Sequence, residues 1–212
     1  MAKGITRERI VAAALEQLDE TGMEGLTVRS LAARLDVRPP ALYWHLRNKQ
    51  ELLDEMSTTV MRRVADAVAL LPPGAGWRDD LAGYARALRA ELLRHRDGAR
   101  TFSGTRLTDP GLVRLKEPWL ERWTAAGMTL TEADDAIDLV VAFVVGFVIE
   151  EQERSLPRES DPDRYSTARR DEWLGEGVPL VKQAGHLRDD GDPRFERHLA
   201  VVLDGVAARG LR

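Results

Sequence analysis

The chain has 212 residues, 31% of them charged and 43% hydrophobic, which is the balance of a soluble globular protein with one large or two small domains. It has no cysteine, so disulfides, thiolate catalysis and cysteine zinc sites are excluded, and its four histidines lack the helical pair spacing of a metal site. The net charge of -4 argues against a nucleic-acid partner unless basic residues are concentrated in one segment.

No membrane segment is predicted. The N-terminal residues lack the apolar core of a signal peptide, and the longest uncharged apolar run, residues 139–149, falls well short of the roughly 20 residues that a membrane span needs. We therefore expect a cytoplasmic protein without a membrane partner. Arginine makes up 27 of the 31 basic residues, an excess that genomic codon bias explains as well as phosphate binding does.

Helical periodicity predicts an all-α chain, since no segment shows convincing strand alternation. In the first third, candidate N-caps at Thr6 and Thr27, a terminating Gly22 and the pair Pro39-Pro40 mark the ends of the periodic segments. The helices predicted there cover about residues 7–22, 28–35, 39–46 and 49–72.

The segment LPPGAG, residues 71–76, separates this part from the second half of the chain. Thr129 with Glu132 forms a predicted capping box, and Asp192 is a predicted N-cap followed by proline. Residues 155–171 are polar and contain two prolines, so we predict a long loop there. The helices predicted in this half cover about residues 77–95, 98–103, 110–126, 130–154, 173–187 and 193–209.

The second and third predicted helices, joined by a turn of three or four residues, have the pattern of a helix-turn-helix. The surrounding segment, residues 27–49, has a net charge of +4, because it contains five basic residues and one acid, Asp36. The basic residues are Arg29, Arg34, Arg38, Arg47 and Lys49. A local basic surface of this kind is typical of proteins that bind DNA.

The same segment resembles the DNA-binding domain of the TetR family of repressors over about 50 residues. The family pattern L-Y-x-H-F-x-x-K-x-x-L stands here as Leu42-Tyr43-x-His45-Leu46-x-x-Lys49-x-x-Leu52. HRDGAR and GTR within residues 95–106, and G-x-V-x-E-x-Q-E over residues 146–153, resemble the ligand-binding domain of the tetracycline-responsive members. The resemblance implies a helix-turn-helix DNA-binding domain over residues 1–48, a connecting helix over 49–72, and a helical ligand-binding and dimerisation domain over 73–212.

The resemblance also implies roles for single residues of the helix-turn-helix. Arg29 matches a base-reading arginine, whose guanidinium can bind guanine O6 and N7 together. Tyr43 and His45 match phosphate-binding positions, although a packed Tyr43 is an equal alternative. Lys49 begins the fourth predicted helix, where its ammonium and the helix-end amides could bind one phosphate together.

Two departures from the tetracycline-responsive members point to a different operator. Pro39 and Ala41 stand where those members have polar base-reading residues, and Arg38 stands where they have an acid. We therefore expect Arg29 and Arg38 to provide most of the direct base readout, and Trp44 to be a core or hinge aromatic. The candidate DNA-binding residues are Thr27, Arg29, Arg38, Pro39, Ala41, Tyr43, His45 and Lys49.

Two helices of the second half are candidates for dimerisation. Both match helices of the family's dimer-forming four-helix bundle, so we expect a homodimer, with an ordinary intrachain core as the alternative. The apolar residues concerned are Ile137, Val140, Val141, Val144, Val145 and Val148 on one helix, and Phe195, Leu199, Val202 and Val206 on the other.

In the tetracycline-responsive members that this chain resembles, histidines hold a magnesium ion carried by the drug. Phe102 stands at the position of the principal metal-binding histidine, and phenylalanine cannot bind magnesium. The other matching drug-contact positions carry Ala65, Tyr84, Leu88, Trp119 and Ala142, while Arg106 and Glu150 persist. We therefore predict no metal, no cofactor, and an apolar or aromatic small-molecule effector with a few oxygens.

The candidate ligand-binding residues are Tyr84, Leu88, Phe102, Arg106, Trp119, Trp123, Phe147 and Glu150. Arg106 and Glu150 are the expected polar anchors of this pocket. Each of the aromatic residues could equally belong to the core, an alternative that the sequence leaves open.

Together these features predict a ligand-responsive transcriptional repressor and not an enzyme. A homodimer would place its third helices in successive major grooves of a palindromic operator, about 34 Å apart, and ligand binding would shift the fourth helix and release the DNA. Phe102 and Arg106 are expected to transmit this change. Two alternatives are a DNA-binding regulator that responds to a protein partner or to no ligand, and an all-α enzyme that uses Glu150 with His95 or His186.

Overall fold

The computed structural model of the chain describes residues 4–72, 74–155, 161 and 163–210. Its regular structure within those residues is helical throughout, which confirms the predicted all-α class. The helices are α1 (Arg7–Gly25), α2 (Val28–Arg34), α3 (Pro39–Tyr43), α4 (Lys49–Ala69), α5 (Trp77–Leu93), α6 (Gly98–Phe102), α7 (Pro110–Arg114), α8 (Glu117–Ala125), α9 (Leu130–Ser155), α10 (Thr167–Leu174), α11 (Pro179–His186) and α12 (Asp192–Gly210).

The first three helices, together with the first turn of α4, form a small unit, here called the reader, and α5 to α12 form the body. Predicted caps begin the reader helices: the Thr6 hydroxyl accepts from the amide of Arg9 at 3.3 Å, and Thr27 and Ser30 cap α2 reciprocally. The backbone leaves helical geometry at Gly22, whose φ of 69° favours glycine, before α1 ends. The third helix is shorter than the predicted 39–46, because it ends at Tyr43 and a turn follows.

The single helix predicted over residues 110–126 is wrong, since the structure has two helices, α7 and α8, in that range. Pro118 lies in the first turn of α8. Proline has no amide hydrogen and its ring clashes with the carbonyl of the residue four positions earlier, so a continuous helix cannot pass through it. Apolar periodicity continues across this break, and it misled the prediction.

The predicted loop over residues 155–171 and helix over 173–187 also need correction. Residues 156–160 and 162 lie outside the described residues, but α10 already begins at Thr167. The predicted helix is interrupted at Gly175 and Gly177, which have φ of 64° and 90°, and α11 begins only at Pro179. Glycines in this left-handed region end helices, and proline starts the next one.

The long helices α4, α5, α9 and α12 enclose the main core, with α4 also packed against α1 of the reader. Buried side chains continue from Leu18 in α1 through Met56 in α4 to Leu92 in α5. The reader and the body therefore share one apolar core across α4, which allows a change in the body to reach the reader.

The surface predicted for dimerisation is mostly interior. Ile137, Val140, Val144 and Val148 of α9 are buried within the chain, as are Phe195, Leu199 and Val206 of α12, so the intrachain alternative is correct for these residues. Leu139 and Val201 are exposed apolar residues on the same two helices. Apolar periodicity identifies the apolar face of a helix, but it does not show whether that face packs within the chain or against a partner subunit.

The α10 and α11 helices pack against each other as a hairpin. Arg170 donates to the carbonyl oxygens of Val181 and Lys182, and His186 lies 2.7 Å from Asp171. Within the described part of the chain, no helix combines the length and the apolar character that crossing a bilayer requires.

Candidate nucleic-acid interface and ligand cavity

Three cations of the reader are exposed and free of partners. Arg29 lies in the first turn of α2, Arg38 is the N-cap residue of α3, and Lys49 is the first residue of α4. Among the described residues, no hydrogen bond or ion pair engages any of these three side chains. Unpaired cations at neighbouring helix starts form a surface that can bind phosphates and base edges.

Arg34 lies in the same basic segment but is already neutralised. Its guanidinium binds Glu20 at 2.7 Å and Glu16 at 3.0 Å, both on α1. These hydrogen bonds raise the pKa of Arg34 above its usual value. The charge of +4 counted over residues 27–49 therefore overstates the positive charge that the folded reader offers to a partner.

The end of α3 exposes two aromatic side chains. Trp44 is 88% exposed, so its predicted core position is wrong, and Tyr43 is 54% exposed. Leu42 and Leu46 occupy the buried positions on either side of them. Because α3 ends at Tyr43, Trp44 lies in the turn that follows and is exposed, and apolar periodicity does not indicate this early helix end.

The other predicted DNA-binding residues fall into two groups. Pro39 is exposed, while Ala41 of α3 and His45 of the turn that follows are half-buried. Thr27 is exposed, but its hydroxyl accepts from the amide of Ser30 at 3.0 Å. This side chain therefore already caps α2.

Arg7 of α1 fixes the end of the third helix. It donates to the carbonyl oxygen of His45 at 2.6 Å and also binds Glu55 at 2.6 Å and Glu51 at 3.0 Å. Glu51 accepts in addition from the amide of Arg47 at 2.7 Å, and this hydrogen bond, with the charge of Arg7, lowers the pKa of Glu51. The cluster joins α1, the end of α3 and the first turn of α4, which holds the exposed surface in place.

The body contains a cavity of about 360 Å³ between α4, α5, α7, α8 and α9. Its volume lies within the range of about 300–1,000 Å³ that is usual for small-molecule sites. Tyr84 and Lys116 bring the polar side-chain atoms to a lining that is otherwise apolar. The lining residues are Met61, Val64, Ala65, Val68, Ala69, Tyr84, Leu107, Leu112, Val113, Leu115, Lys116, Trp119 and Ile137.

Both polar residues lie near acids of α9. The ammonium of Lys116 is 3.4 Å from Asp134 and 3.9 Å from Asp138. Burial, together with the charge of Asp138, raises the pKa of Tyr84 to about 12, so its hydroxyl stays protonated at neutral pH. Within the described residues this hydroxyl has no hydrogen-bond partner, and it can donate to a ligand.

Aromatic residues form one wall of the cavity. The ring of Tyr84 meets Trp119 edge-on at 5.8 Å, and Trp119 stacks on Trp123 at 5.5 Å. Trp123 is fully buried behind this wall, where its indole donates to Asp80 at 2.9 Å, and Arg122 also pairs with Asp80. The structure thus places Tyr84 and Trp119 at the cavity and Trp123 in the supporting core.

Three other predicted ligand residues lie outside this cavity. Leu88 is completely buried in the core. Phe102 lines a narrow cleft with about 10 Å³ of free space against α1 and α4, which is too small for a ligand. The side chain of Arg106 is 85% exposed, and its Nε lies 3.3 Å from Asp54.

Phe147 and Glu150 line a separate groove of about 720 Å³ between α9 and α12. Phe147 packs against Phe143 and Phe195, with ring centroids 5.7 and 5.3 Å apart. Glu150 is exposed, and its partner is Arg154 at 3.7 Å. The eight predicted ligand residues are therefore not brought together in the single chain, because the resemblance gives positions but not the packing between them.

Sequence reasoning missed the residues that α4 and α7 contribute to the cavity. Of the α4 residues, only Ala65 had been named as a drug-contact position, while Met61 and Val68 were not singled out, and Lys116 fell inside a helix that was predicted to be continuous. It also missed the buried Asp54, which accepts from the Arg106 amide at 3.2 Å and holds the loop after α6 on α4. An acid among the apolar residues of a predicted helix, Asp54 between Leu53 and Met56, was the available signal.

The residues proposed for the enzyme alternative are engaged elsewhere. His95 is buried with Asp19 and Arg63 as partners, and His186 binds Asp171 on the hairpin. Glu150 lies in the groove with Arg154. Each of the three has a different partner, and no pair of them forms an acid and base couple.

Two family models match the chain. Residues 10–56 match "Bacterial regulatory proteins, tetR family", and residues 71–209 match "Tetracyclin repressor-like, C-terminal domain". The tetracycline repressor protein class A from transposon 1721 of Escherichia coli is 38% identical over 208 residues, which covers 95% of this chain and 90% of that protein.

Solved structures agree with these matches. A crystal structure of a possible TetR family transcriptional regulator from Streptomyces coelicolor A3(2) is 37% identical, with a TM-score of 0.81 over 95% of this chain and 98% of that one. A TetR variant of Acinetobacter baumannii AYE in complex with minocycline is 31% identical, with a TM-score of 0.72 over 98% and 99% of the two chains. The similarity thus extends over both the reader and the body.

Proposed function

Because the chain belongs to the TetR family of bacterial transcriptional regulators, we propose that its reader binds a palindromic operator and that the 360 Å³ cavity of its body binds the effector that releases it. It is a ligand-responsive, DNA-binding repressor that acts as a homodimer. The observation that carries the proposal is the combination of unpaired reader cations with an apolar cavity on the helix, α4, that joins reader to body.

On the DNA side, α3 enters the major groove, and the cations around it contact either bases or phosphates. Arg29 and Arg38 are exposed at the starts of α2 and α3, from where a guanidinium can bind guanine with two hydrogen bonds. Lys49 and the exposed Tyr43 bind phosphates, which set the register without reading sequence. Ala41 offers only apolar contact, such as with a thymine methyl group.

The homodimer doubles this surface. Two readers related by a two-fold axis bind half-sites about 34 Å apart, so the operator is an inverted repeat. The exposed Leu139 and Val201 lie on α9 and α12, the two helices that we propose for the dimer contact. The apolar residues of α9 and α12 that are exposed or half-buried in the single chain would then contact the partner, whereas the fully buried ones belong to the core of each subunit.

On the ligand side, the cavity fits a largely apolar, aromatic molecule with an acceptor oxygen. The Tyr84 hydroxyl is the donor for that oxygen, and Trp119 provides a flat ring against which an aromatic ligand packs. Among the described residues, the lining includes no carboxylate and no imidazole, so it does not fit the magnesium that tetracycline carries. The proposed effector therefore binds without a metal ion.

Ligand binding acts through α4. This helix supplies five lining residues and begins at Lys49 beside the DNA-binding surface. A ligand shifts the operator equilibrium only as far as it prefers the non-binding conformer, and a preference of about 10⁴-fold moves occupancy from nearly full to nearly empty.

The test begins with selection of bound sequences from random duplex DNA. We expect an inverted repeat, bound with an affinity that falls steeply with salt. Release from the selected operator is then measured with 9,10-anthraquinone, with anthracene of similar shape but no oxygen, and with tetracycline plus magnesium. Anthraquinone should release the protein at lower concentration than anthracene does, and tight release by tetracycline with magnesium would contradict a metal-free site.

Two matched variants locate the ligand. Ala65→Phe fills the cavity, while Ala142→Phe places the same ring in the groove between α9 and α12. We expect Ala65→Phe to bind operator normally and to lose both the release and the thermal stabilisation by anthraquinone. The dimeric state of each variant is checked by light scattering. Loss of the response in Ala142→Phe alone would place the ligand in the groove.

A further inference from the structure

The turn over residues 94–97, between α5 and α6, lies where α1, α4 and α9 approach one another. His95 is buried there and contacts α1 through Asp19 and α4 through Arg63. From α9, the Gln152 amide donates to the carbonyl oxygen of His95 at 2.7 Å. Neither the DNA-binding surface nor the 360 Å³ cavity includes this turn.

The hydrogen bonds of His95 fix one tautomer. The Arg63 guanidinium has only donors, so the ring Nε2, 3.0 Å from its Nη1, must accept. Nδ1 therefore carries the proton and donates to the Asp19 carboxylate, whose oxygens lie 2.9 and 3.1 Å away. The result is a directional chain, Arg63 to His95 to Asp19, that runs from α4 to the reader helix α1.

Residues next to His95 bring the turn after α5 close to α1 as well. The Asp97 carboxylate accepts from the amide of Met23 at 2.9 Å, and the amide of Arg96 donates to Asp19 at 3.2 Å. At Gly22, a Cβ atom would lie 2.7 Å from the Asp97 carboxylate. Glycine at that position thus meets two needs, its φ of 69° and the nearness of the turn.

We propose that the chain Arg63–His95–Asp19 is a positioning joint that sets the orientation of the reader on the body, and thereby the half-site spacing that the dimer accepts. The apolar contact between α1 and α4 is non-directional, and the Arg7 cluster fixes α1 only to the start of α4. The hydrogen bonds of His95 and Asp19, with fixed donors and acceptors, add a second directional attachment at the other end of α1. His95 and Asp19 act through the reader and touch no DNA. The inference rests on the proposed binding to an inverted repeat.

The experiment compares operators that differ in spacing. The sequence selected by the wild-type chain is prepared as found and with one base pair inserted or removed at its centre, which moves a half-site by about 3.4 Å. Affinities for the three duplexes are measured for wild type, His95→Ala and Asp19→Ala. Asp19→Asn keeps an acceptor oxygen, and His186→Ala removes a histidine with the same kind of aspartate partner on the hairpin.

We expect the wild-type chain to lose about 10-fold or more in affinity when the spacing changes, and His95→Ala and Asp19→Ala to discriminate about 5-fold less between the duplexes. Asp19→Asn should keep most of the discrimination, and His186→Ala all of it. Asp19 is partly exposed, so its variants test the joint even if His95→Ala does not fold.

The outcomes separate the joint from the proposed function. If no DNA is selected by the wild-type chain, the proposed function fails. If an inverted repeat is selected and both alanine variants discriminate spacing as well as wild type does, the joint is refuted. A uniform loss of affinity for all three duplexes would also refute it, because that loss reports stability and not orientation.

Discussion

The reader and the body use arginine in opposite ways. In the described part of the body, most arginines are paired within the chain, as Arg78 is with Asp204 and Arg86 with Glu196. In the reader, Arg29 and Arg38 have no partner among the described residues. The chain is rich in arginine throughout, so the number of basic residues does not identify a DNA-binding surface. The basic side chains that nearby acids leave unpaired are the ones that can bind DNA.

Arg34 shows that the rule holds for single residues. It lies on α2 with Arg29, yet two carboxylates of α1 bind it. The net charge is +2 over residues 1–50 and -6 over residues 51–212. An acidic body repels DNA, so the contact is confined to the side where the unpaired cations lie.

The largest expected effect tests whether a predicted ligand residue belongs to the core of the body. Leu88 is completely buried, so Leu88→Ala should lower the free energy of unfolding by about 2–5 kcal/mol. Chemical denaturation measures this loss. The matched Leu180→Ala, at a position 76% exposed, should change stability little. If Leu88→Ala had normal stability and a weakened effector response, Leu88 would be a ligand-binding residue and not a core residue.

Much of the fold could be predicted from the sequence, for reasons that particular residues make clear. Thr6, Thr27 and the box of Thr129 with Glu132 are caps whose partners lie within three residues, and all three form as predicted. The errors at Pro118 and at Gly175 arose where apolar periodicity continued across a residue that ends helices. Local signals outweigh periodicity at such points.

The second prediction compares two arginines of one helix. Arg29→Ala should weaken operator binding by about 10- to 100-fold, because a bidentate contact to a base contributes about 1–3 kcal/mol. Arg38→Ala should have a similar effect and relax the base preference at its own position. Arg34→Ala should leave affinity almost unchanged, since its guanidinium is held by Glu16 and Glu20. Fluorescence anisotropy at fixed salt concentration measures all three.

Equal losses for Arg29→Ala and Arg34→Ala would break the comparison, because paired and unpaired arginines would then contribute alike. Unchanged affinity and base preference in Arg38→Ala would remove Arg38 from the base-reading residues. The melting temperature of each variant is the control, since loss of the Arg34 ion pairs is expected to affect stability only slightly.

The candidate sites could be predicted less well than the fold, because their residues meet only through tertiary packing. Position by position, the sequence identified Tyr84 and Trp119, which do line the cavity. It could not show that Phe147 lies in a different groove, or that Trp123 is buried behind the cavity wall with its indole already donating to Asp80. Pairing of Arg34 with α1 was hidden for the same reason, since its acids are 14 and 18 residues away.

The smallest expected effect concerns two acids, one in each region. The pKa of Glu51 is lowered by the amide of Arg47 and by Arg7, and the pKa of Glu196 is lowered by Arg86. A carboxyl group with a lowered pKa stabilises the fold above its unfolded pKa, and this contribution is lost as the pH falls through its folded value. Glu51→Gln and Glu196→Gln should each melt slightly below wild type at pH 7, with the difference vanishing towards pH 3.

The two variants should differ in DNA binding at pH 7. Glu51 holds Arg7, which in turn binds the carbonyl oxygen at the end of α3, so Glu51→Gln should also weaken operator binding a few-fold. Glu196 joins α12 to α5 within the body, so Glu196→Gln should leave operator binding unchanged. A parallel loss of affinity in both would mean that the acids of the body, too, position the reader, and the division between the two regions would then not lie at α4.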